Sequence, residues 1–199
     1  MAQLRRVADE DRPALYEICL RTGNVGGDAR RLYRHPDLLG HIYVGAYVEL
    51  APKCCLVVED EGGVGGYVVG VCDTRAFEEA CASSWWPPLQ RRYPLSLATA
   101  SPAERARLRQ LHAPQLTPAA LSGSYPAHLH INLLPRLQRQ GWGRRLIDRF
   151  RGLAAEQDAK GLHLIVADEN TRACAFYRRY GFRELGRQQG AVAFGITTA

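Results

Sequence analysis

No stretch of this chain approaches the roughly 18 consecutive apolar residues that a membrane-spanning helix needs. The opening Met1-Ala2-Gln3-Leu4-Arg5-Arg6 carries no apolar run of the kind found in a secretory leader. Both absences point to a cytoplasmic protein without a membrane partner. The cysteines, Cys19, Cys54, Cys55, Cys72, Cys81 and Cys174, include no CxxC pair, so neither a zinc site nor a disulfide framework is indicated. Cys54 and Cys55 adjoin within an apolar run, where strand geometry turns neighbours to opposite faces. Internal repeats, low-complexity tracts and a basic tail are missing too; the arginines come as pairs such as Arg91-Arg92, Arg144-Arg145 and Arg178-Arg179. The formal charge of +6 therefore reads as a solvated surface, and with no recognisable nucleic-acid module it weighs against DNA or RNA as partner.

What is present suits one domain with a real core over residues 1–199, since 46% of the residues are hydrophobic and 23% charged. Residues 4–7 predict a strand, and Asp9-Glu10-Asp11 with Pro13 predict the first turn of a helix that puts Leu15, Ile18 and Cys19 on one face. A Gly- and Arg-rich loop over 22–34 precedes a second helical region at 36–50. The β-formers of 54–59 and 66–72 fold into a hairpin across the acidic, glycine-bearing turn Asp60-Glu61-Gly62-Gly63. From 75 to 126 prolines break the pattern, Trp85-Trp86-Pro87-Pro88 interrupts it, and only 103–111 reads as a clear helix; this stretch is an insertion of helices and loops. Beyond it come a strand at 128–134, a helix at 144–160 stopped by Gly161, a strand at 162–166, a helix at 171–180 ended by Gly181, and a closing strand pair at 182–185 and 192–196.

Between the strand ending at Leu134 and the helix beginning near Arg144 lies Gln138-Arg139-Gln140-Gly141-Trp142-Gly143. A strand that turns into a helix through such a loop aims free N–H groups, and the positive end of the helix dipole, at one point, which makes a pyrophosphate site. The loop lacks the Lys-Ser/Thr of a P-loop and the third glycine of a dinucleotide fingerprint, so nucleoside triphosphates and NAD do not fit it.

With this loop the chain resembles the GNAT N-acetyltransferase superfamily, whose signature is a strand, (Q/R)xxGx(G/A), a helix, and later an Asn with an Ala-rich turn and Phe-Tyr-x-x-x-Gly-Phe. The second motif stands here as Asn170-Thr171-Arg172-Ala173-Cys174-Ala175-Phe176-Tyr177-Arg178-Arg179-Tyr180-Gly181-Phe182. The segments His35-Pro36-Asp37-Leu38-Leu39-Gly40, Val58-Glu59-Asp60-Glu61, Gly66 to Asp73 and Ser84-Trp85 through Tyr93 are similar to the C-terminal acetyltransferase-like domain of eukaryotic O-GlcNAc hydrolase. That domain departs from QxxGxG and is regarded as a pseudo-acetyltransferase, whereas this chain keeps Gln138, Gly141 and Gly143. The resemblance implies an α/β fold with a mixed, mostly antiparallel sheet and a helical insertion between its third and fourth strands. It implies acetyl-CoA as cofactor, held by Gln138 to Arg144 and Asn170, with the pantetheine arm framed by Leu133, Leu134 and the splayed strand from Leu162. A backbone N–H near Leu133 would bind the oxyanion, and Tyr177 stands at the family's position for the acid that protonates the leaving thiolate. The bland alternative for Tyr177 is packing with Ala173, Phe176 and Tyr180.

The acceptor side is less legible. The fourth strand offers no carboxylate where many relatives place a Glu. His128, His130 and Asn132 alternate onto one face and Asp73 follows the neighbouring strand, so a catalytic cluster of Asp73, His130 and Asn132 is one expectation. Structural histidines, and an Asp73 that caps the insertion's first helix, are the other. Asp73, Trp85, Trp86 and Tyr93 are candidates for an acceptor pocket for a small-molecule or protein amine, the aromatics being either its wall or the insertion's own packing. A non-catalytic module that binds a peptide or a modified protein is the rival to the enzyme.

Overall fold

The computed structural model describes residues 1–97 and 101–198, so residues 98–100 of the expected insertion lie outside the described residues. The elements run β1 (Gln3–Arg6), α1 (Arg12–Thr22), α2 (Asp37–Gly40), α3 (Ala46–Leu50), β2 (Leu56–Asp60), β3 (Gly63–Val71), α4 (Thr74–Ala80), α5 (Trp86–Arg92), α6 (Pro102–His112), α7 (Ala119–Ser124), β4 (Ala127–Leu133), α8 (Trp142–Ala155), β5 (Gly161–Ala167), α9 (Thr171–Tyr180), β6 (Arg183–Gln188) and β7 (Ala191–Thr197). The strands form one open sheet in the order β1-β2-β3-β4-β5-β7-β6, antiparallel everywhere except between β4 and β5. The α/β class, the mixed sheet and the helical insertion between β3 and β4 are therefore as the sequence implies.

Alternation along the strands sorts side chains into two cores. On one face Leu56, Val58, Val68, Ala127 and Leu129 pack under Leu146, Ile147, Phe150 and Leu153 of α8. Gly70 makes that approach close: a Cβ there would stand 2.6 Å from the Phe150 ring. On the other face Val57, Tyr67, Val69 and Val71 pack under Leu15, Ile18 and Cys19 of α1 with Val44, Tyr47 and Val48. Cys54 joins the first core and Cys55 the second, although the expected strand begins only at Leu56 and Cys54 ends a one-turn 3-10 helix. Burying an apolar side chain fully contributes on the order of 1.5–3 kcal/mol, so each core holds its helices against the sheet.

The insertion lies on the α1–α3 side and builds a third core, in which Tyr93, Leu89, Leu108 and Leu111 surround Leu38. Glu104 of α6, wholly buried, ties this layer to the chain before α2 by accepting from the backbone N–H groups of Arg34 (2.7 Å) and His35 (2.9 Å).

Two local expectations shift. The helix expected to run to residue 160 ends at Ala155, because Asp158 takes a left-handed turn (φ 59°) and Ala159 N–H bonds back to Ala154 O; Gly161 then opens β5. The last strands are longer than expected and meet at Gln189-Gly190, both at positive φ, the geometry of a tight hairpin turn.

Candidate functional site

β4 pairs with β3 from His128 to Leu133, but its ladder with β5 covers only Ala127↔Leu162 and His128↔His163. Beyond that point β5 stays with β7 as far as Ala167, so the sheet opens into a V whose closed end is at His128. Leu134 N–H donates to Gly65 O at 2.8 Å. Antiparallel alternation then assigns the backbone groups of Asn132 and His130 to β3 and turns those of Ile131 and Leu133 toward the opening. Leu133 O is taken by Gln138 Nε2 at 2.7 Å, while the Ile131 groups and Leu133 N–H have no partner among the described residues.

At the open end of the V the chain makes a one-turn 3-10 helix, Pro135–Leu137, and enters the glycine loop. Arg139 (φ 61°) and Gly141 (φ 82°) are left-handed, and the first backbone bond of α8 runs from Arg145 N–H to Gly141 O. Hence no N–H from Arg139 through Arg144 has an acceptor among the described residues, and all lie at or before the first turn of a 14-residue helix. That is the donor set an anion such as a pyrophosphate requires. Gly141 leaves open space where a Cβ would stand, whereas a Cβ at Gly143 would meet the Phe176 ring at 3.2 Å.

The side chains of this segment mostly brace it. Gln138 spans from Leu133 O to Arg172, whose Nη2 donates to Gln138 Oε1 at 2.7 Å. Gln140 Nε2 bonds Arg136 O, Trp142 is buried beneath the Arg145 guanidinium, and the Arg144 guanidinium turns to Asp148 and the Tyr180 ring. Leu134 does not face the opening: its side chain is buried in the α1-side core, its N–H bonds Gly65 and its O accepts from Leu137. Ile131 takes the place given to Leu134, because one residue along a strand reverses the face and edge presented. Asn170 caps α9 through Ala173 N–H at 3.1 Å. Tyr177 is buried among Phe176, Phe182 and Phe194, desolvation raises its phenol pKa, and no described group hydrogen-bonds its hydroxyl.

On the α1–α3 side two neighbouring histidines differ. Thr74 Oγ1 donates to Pro126 O at 2.6 Å and so must accept from His128 Nδ1–H at 2.7 Å; His128 Nε2 then accepts from Tyr47 OH at 2.7 Å. Burial, with His163 and His130 nearby, holds His128 neutral and well below the usual range. His163 donates Nδ1–H to Tyr125 O at 2.7 Å. The His130 side chain has no hydrogen-bond partner among the described residues and makes ring contacts to Tyr43 at 5.7 Å, Tyr47 at 5.5 Å and His128 at 6.4 Å; desolvation lowers its pKa to about 4.

The expected cluster of Asp73, His130 and Asn132 is not assembled. Asp73 follows the end of β3 and neighbours the start of β4, with Thr74 N–H on Pro126 O, whereas Asn132 pairs opposite Tyr67 near the far end. Their separation along the ladder is about 20 Å at the rise of an extended strand. The exposed Asp73 carboxylate instead caps α4 through Arg75 and Ala76 N–H, and Asn132 Nδ2 donates to Tyr67 OH at 2.7 Å. Trp85, Trp86 and Tyr93 belong to the insertion's core, Trp85 Nε1 donating to His41 O at 3.0 Å. The insertion leaves and returns at the closed end of the V, and it is α6 that comes back toward His130, through Arg107, Gln110 and Tyr43. The sequence carried no signal for Arg107 or Arg172 beyond their charge; Ile131 was within reach of the alternation argument.

Comparison with known proteins agrees with this geometry. The family model of the acetyltransferase (GNAT) domain matches residues 116–184, from α7 to the start of β6. A solved structure named SsHAT is 35% identical, with a TM-score of 0.91, over 100% of this chain and 98% of that one. The ribosomal-protein-S18-alanine N-acetyltransferase of Escherichia coli, 15% identical over 100% of this chain and 95% of that one, shares the fold with a TM-score of 0.52. Among curated proteins, Protein O-GlcNAcase of Rattus norvegicus is 24% identical over 189 residues, 94% of this chain; the chain spans about a fifth (20%) of that relative's length. Among the described residues no helix is long and apolar enough to cross a membrane. Together with the parted strands and the glycine loop that follows them, these likenesses establish that the chain belongs to the GNAT acetyltransferase superfamily.

Proposed function

We propose that the protein moves an acetyl group from acetyl-CoA to an amine, in a small molecule or a protein, by direct attack. The observation that carries this reading is the V between β4 and β5, whose unpaired edge at Ile131 and Leu133 leads straight to the free N–H groups of Arg139 to Arg144. Those N–H groups would hold the pyrophosphate, Arg139 and Arg172 add positive charge beside it, and the unpaired edge of β4 would take the pantetheine arm as a strand takes its neighbour. When bound, acetyl-CoA supplies the thioester carbonyl and a thiolate leaving group. Ile131 N–H and Leu133 N–H are the donors available to an oxygen that gains charge at this edge. Tyr177 keeps its proton under all ordinary conditions, as the acid for a basic thiolate must. His130 is neutral at pH 7 and has both ring nitrogens uncommitted among the described residues, so it can take a proton from the acceptor in passing. With a pKa of about 4 it is too weak a base to keep it. Residues 1–199 act on this reading as one acetyltransferase domain in the cytoplasm.

The same weakness favours a second reading, a non-catalytic module that binds a peptide or modified protein: β4 presents no carboxylate, and its histidines resist protonation. Calorimetry with acetyl-CoA separates the two. Binding with a Kd in the micromolar range, followed by acetylation of any amine, supports the enzyme; no heat from a folded protein sinks it and leaves the module.

A further inference from the structure

We infer that the acceptor carries an anionic group beside its amine, and that Arg107 of α6 receives it. This rests on the amine-acceptor reading and adds the substrate class.

Arg107 is half-buried and reaches out of the insertion toward β4. Its Nη1 donates to the Tyr43 hydroxyl and to Gln110 Oε1, with Tyr43 OH itself on Gln110 Oε1 at 3.0 Å. The guanidinium carbon stands 5.9 Å from the centre of the Tyr43 ring, and that ring meets His130 edge-on at 5.7 Å. Its charge also reaches the Tyr33 phenol, which burial pushes up and Arg107 pulls back. Every one of these oxygen partners is neutral. Among the described residues no carboxylate lies within ion-pair distance of Arg107, whereas Arg5, Arg12, Arg30, Arg136, Arg178 and Arg187 each have one. Glu104, one turn earlier on α6, spends Oε1 on Arg34 and His35.

A half-buried guanidinium without a counter-charge keeps N–H donors in a planar fork that matches a carboxylate or a phosphate. It sits one tyrosine ring away from His130, and His130 adjoins Ile131, whose backbone faces the V. An amine delivered to that opening from the α1–α3 side therefore has a cation waiting for its other end. Arg107 is a binding residue in this scheme and touches no reacting atom.

The test compares three amines of similar reach, 4-aminobutanoate, 3-aminopropylphosphonate and 4-aminobutanamide, with the intact chain and saturating acetyl-CoA. Both anionic amines should exceed the amide by about 10-fold or more in kcat/KM, the value of a charge-assisted hydrogen bond, and mainly through KM. Arg107→Gln should erase the preference while kcat holds, and Arg107→Lys should restore part of it. In parallel, the Arg107 Nε–Hε resonance, assigned by its loss in Arg107→Lys, is followed by NMR as the first and third amines are titrated without acetyl-CoA. It should move with the acid and not with the amide. Equal rates for the three amines, or a preference that survives Arg107→Gln, overturns the inference. If acetyl-CoA does not bind or no amine turns over, the functional reading suffers, and the resonance still decides: a shift common to both amines, or none, ends the anion site.

Discussion

On the α8–α9 face, every group assigned to the cofactor lies in one continuous piece of chain, from Ile131 to Tyr177, and neighbours in sequence are neighbours in space. On the α1–α3 face, the groups around His130 come from Tyr43, Tyr47, Arg107 and Gln110, brought together across 20 to 90 or so residues of chain. The first face offers a ligand backbone groups and glycines; the second offers side chains held by other side chains. A backbone site survives most side-chain changes and fails when the φ of one residue is denied, while a side-chain site degrades one contact at a time.

The sharpest way to break the contrast is Gly141→Val. The φ of 82° is costly for a β-branched residue, by about 1–2 kcal/mol, and the change crowds the free N–H groups although no neighbour lies within 4 Å of the new Cβ. Acetyl-CoA affinity should fall about 100-fold or more by calorimetry, given that several charge-assisted bonds are lost together, with the circular dichroism of a folded protein. Unchanged affinity would remove the loop from the site. Tyr177→Phe comes next: turnover should drop about 100-fold while cofactor affinity stays, the usual contribution of a general acid. Equal turnover would leave Tyr177 as packing for Phe182 and Phe194.

Acid should act on the other face first. His41 and His130 titrate near 4 when folded, and near 6.5 when unfolded, because burial disfavours their charged forms. In that window the unfolded chain binds more protons, so stability is full above about 6.5, declines as the pH falls and levels off below about 4, by up to about 3 kcal/mol for His130 and by less for His41, which solvent partly screens. Carboxylates held low by arginine, such as Asp11, add their losses only further down. A flat Tm from pH 6.5 to 4.5 would contradict the buried, neutral histidines.

The two histidines of β4 can then be told apart. Thr74→Val strands His128 Nδ1–H and leaves Pro126 O with only the Thr74 backbone N–H, which should cost about 1–3 kcal/mol in urea unfolding. The His130 side chain has no hydrogen bond to lose among the described residues, so His130→Asn should cost less stability, yet lower kcat/KM for the acceptor. The reverse order would exchange their roles. Smallest of all, Gly152→Ala fills open space on α8 and should raise stability by up to about 1 kcal/mol without altering acetyl-CoA binding, a control showing that glycine replacement as such is harmless.

Much of the first face was legible from residue order. Gly181 ends α9 as a left-handed stop, and Leu146, Ile147, Phe150 and Leu153 recur at the helical period that buries α8; that Asn170 caps α9 came from the structure. Even there, alternation alone did not say which edge of β4 was free, so Leu134 was named, although its N–H bonds Gly65 O and it is Ile131 that presents its backbone to the opening. Asp73 misled for a related reason: it adjoins β4 in the sheet, but antiparallel register sets it at the end opposite Asn132.

By itself, then, the sequence determined what local rules reach: the strand–loop–helix unit with its glycines, the helix ends, and the assignment of adjacent strand residues to opposite cores, as with Val57 and Val58. These follow from φ preferences and periods of 2 and 3.6, which act within a few residues. Only the tertiary structure decided where β4 parts from β5 and that, among the described residues, His128 is latched while His130 is not and Arg107 stands without a carboxylate. Those outcomes depend on which distant group occupies the space beside a side chain, and a strand's alternation specifies two faces without saying who waits on either.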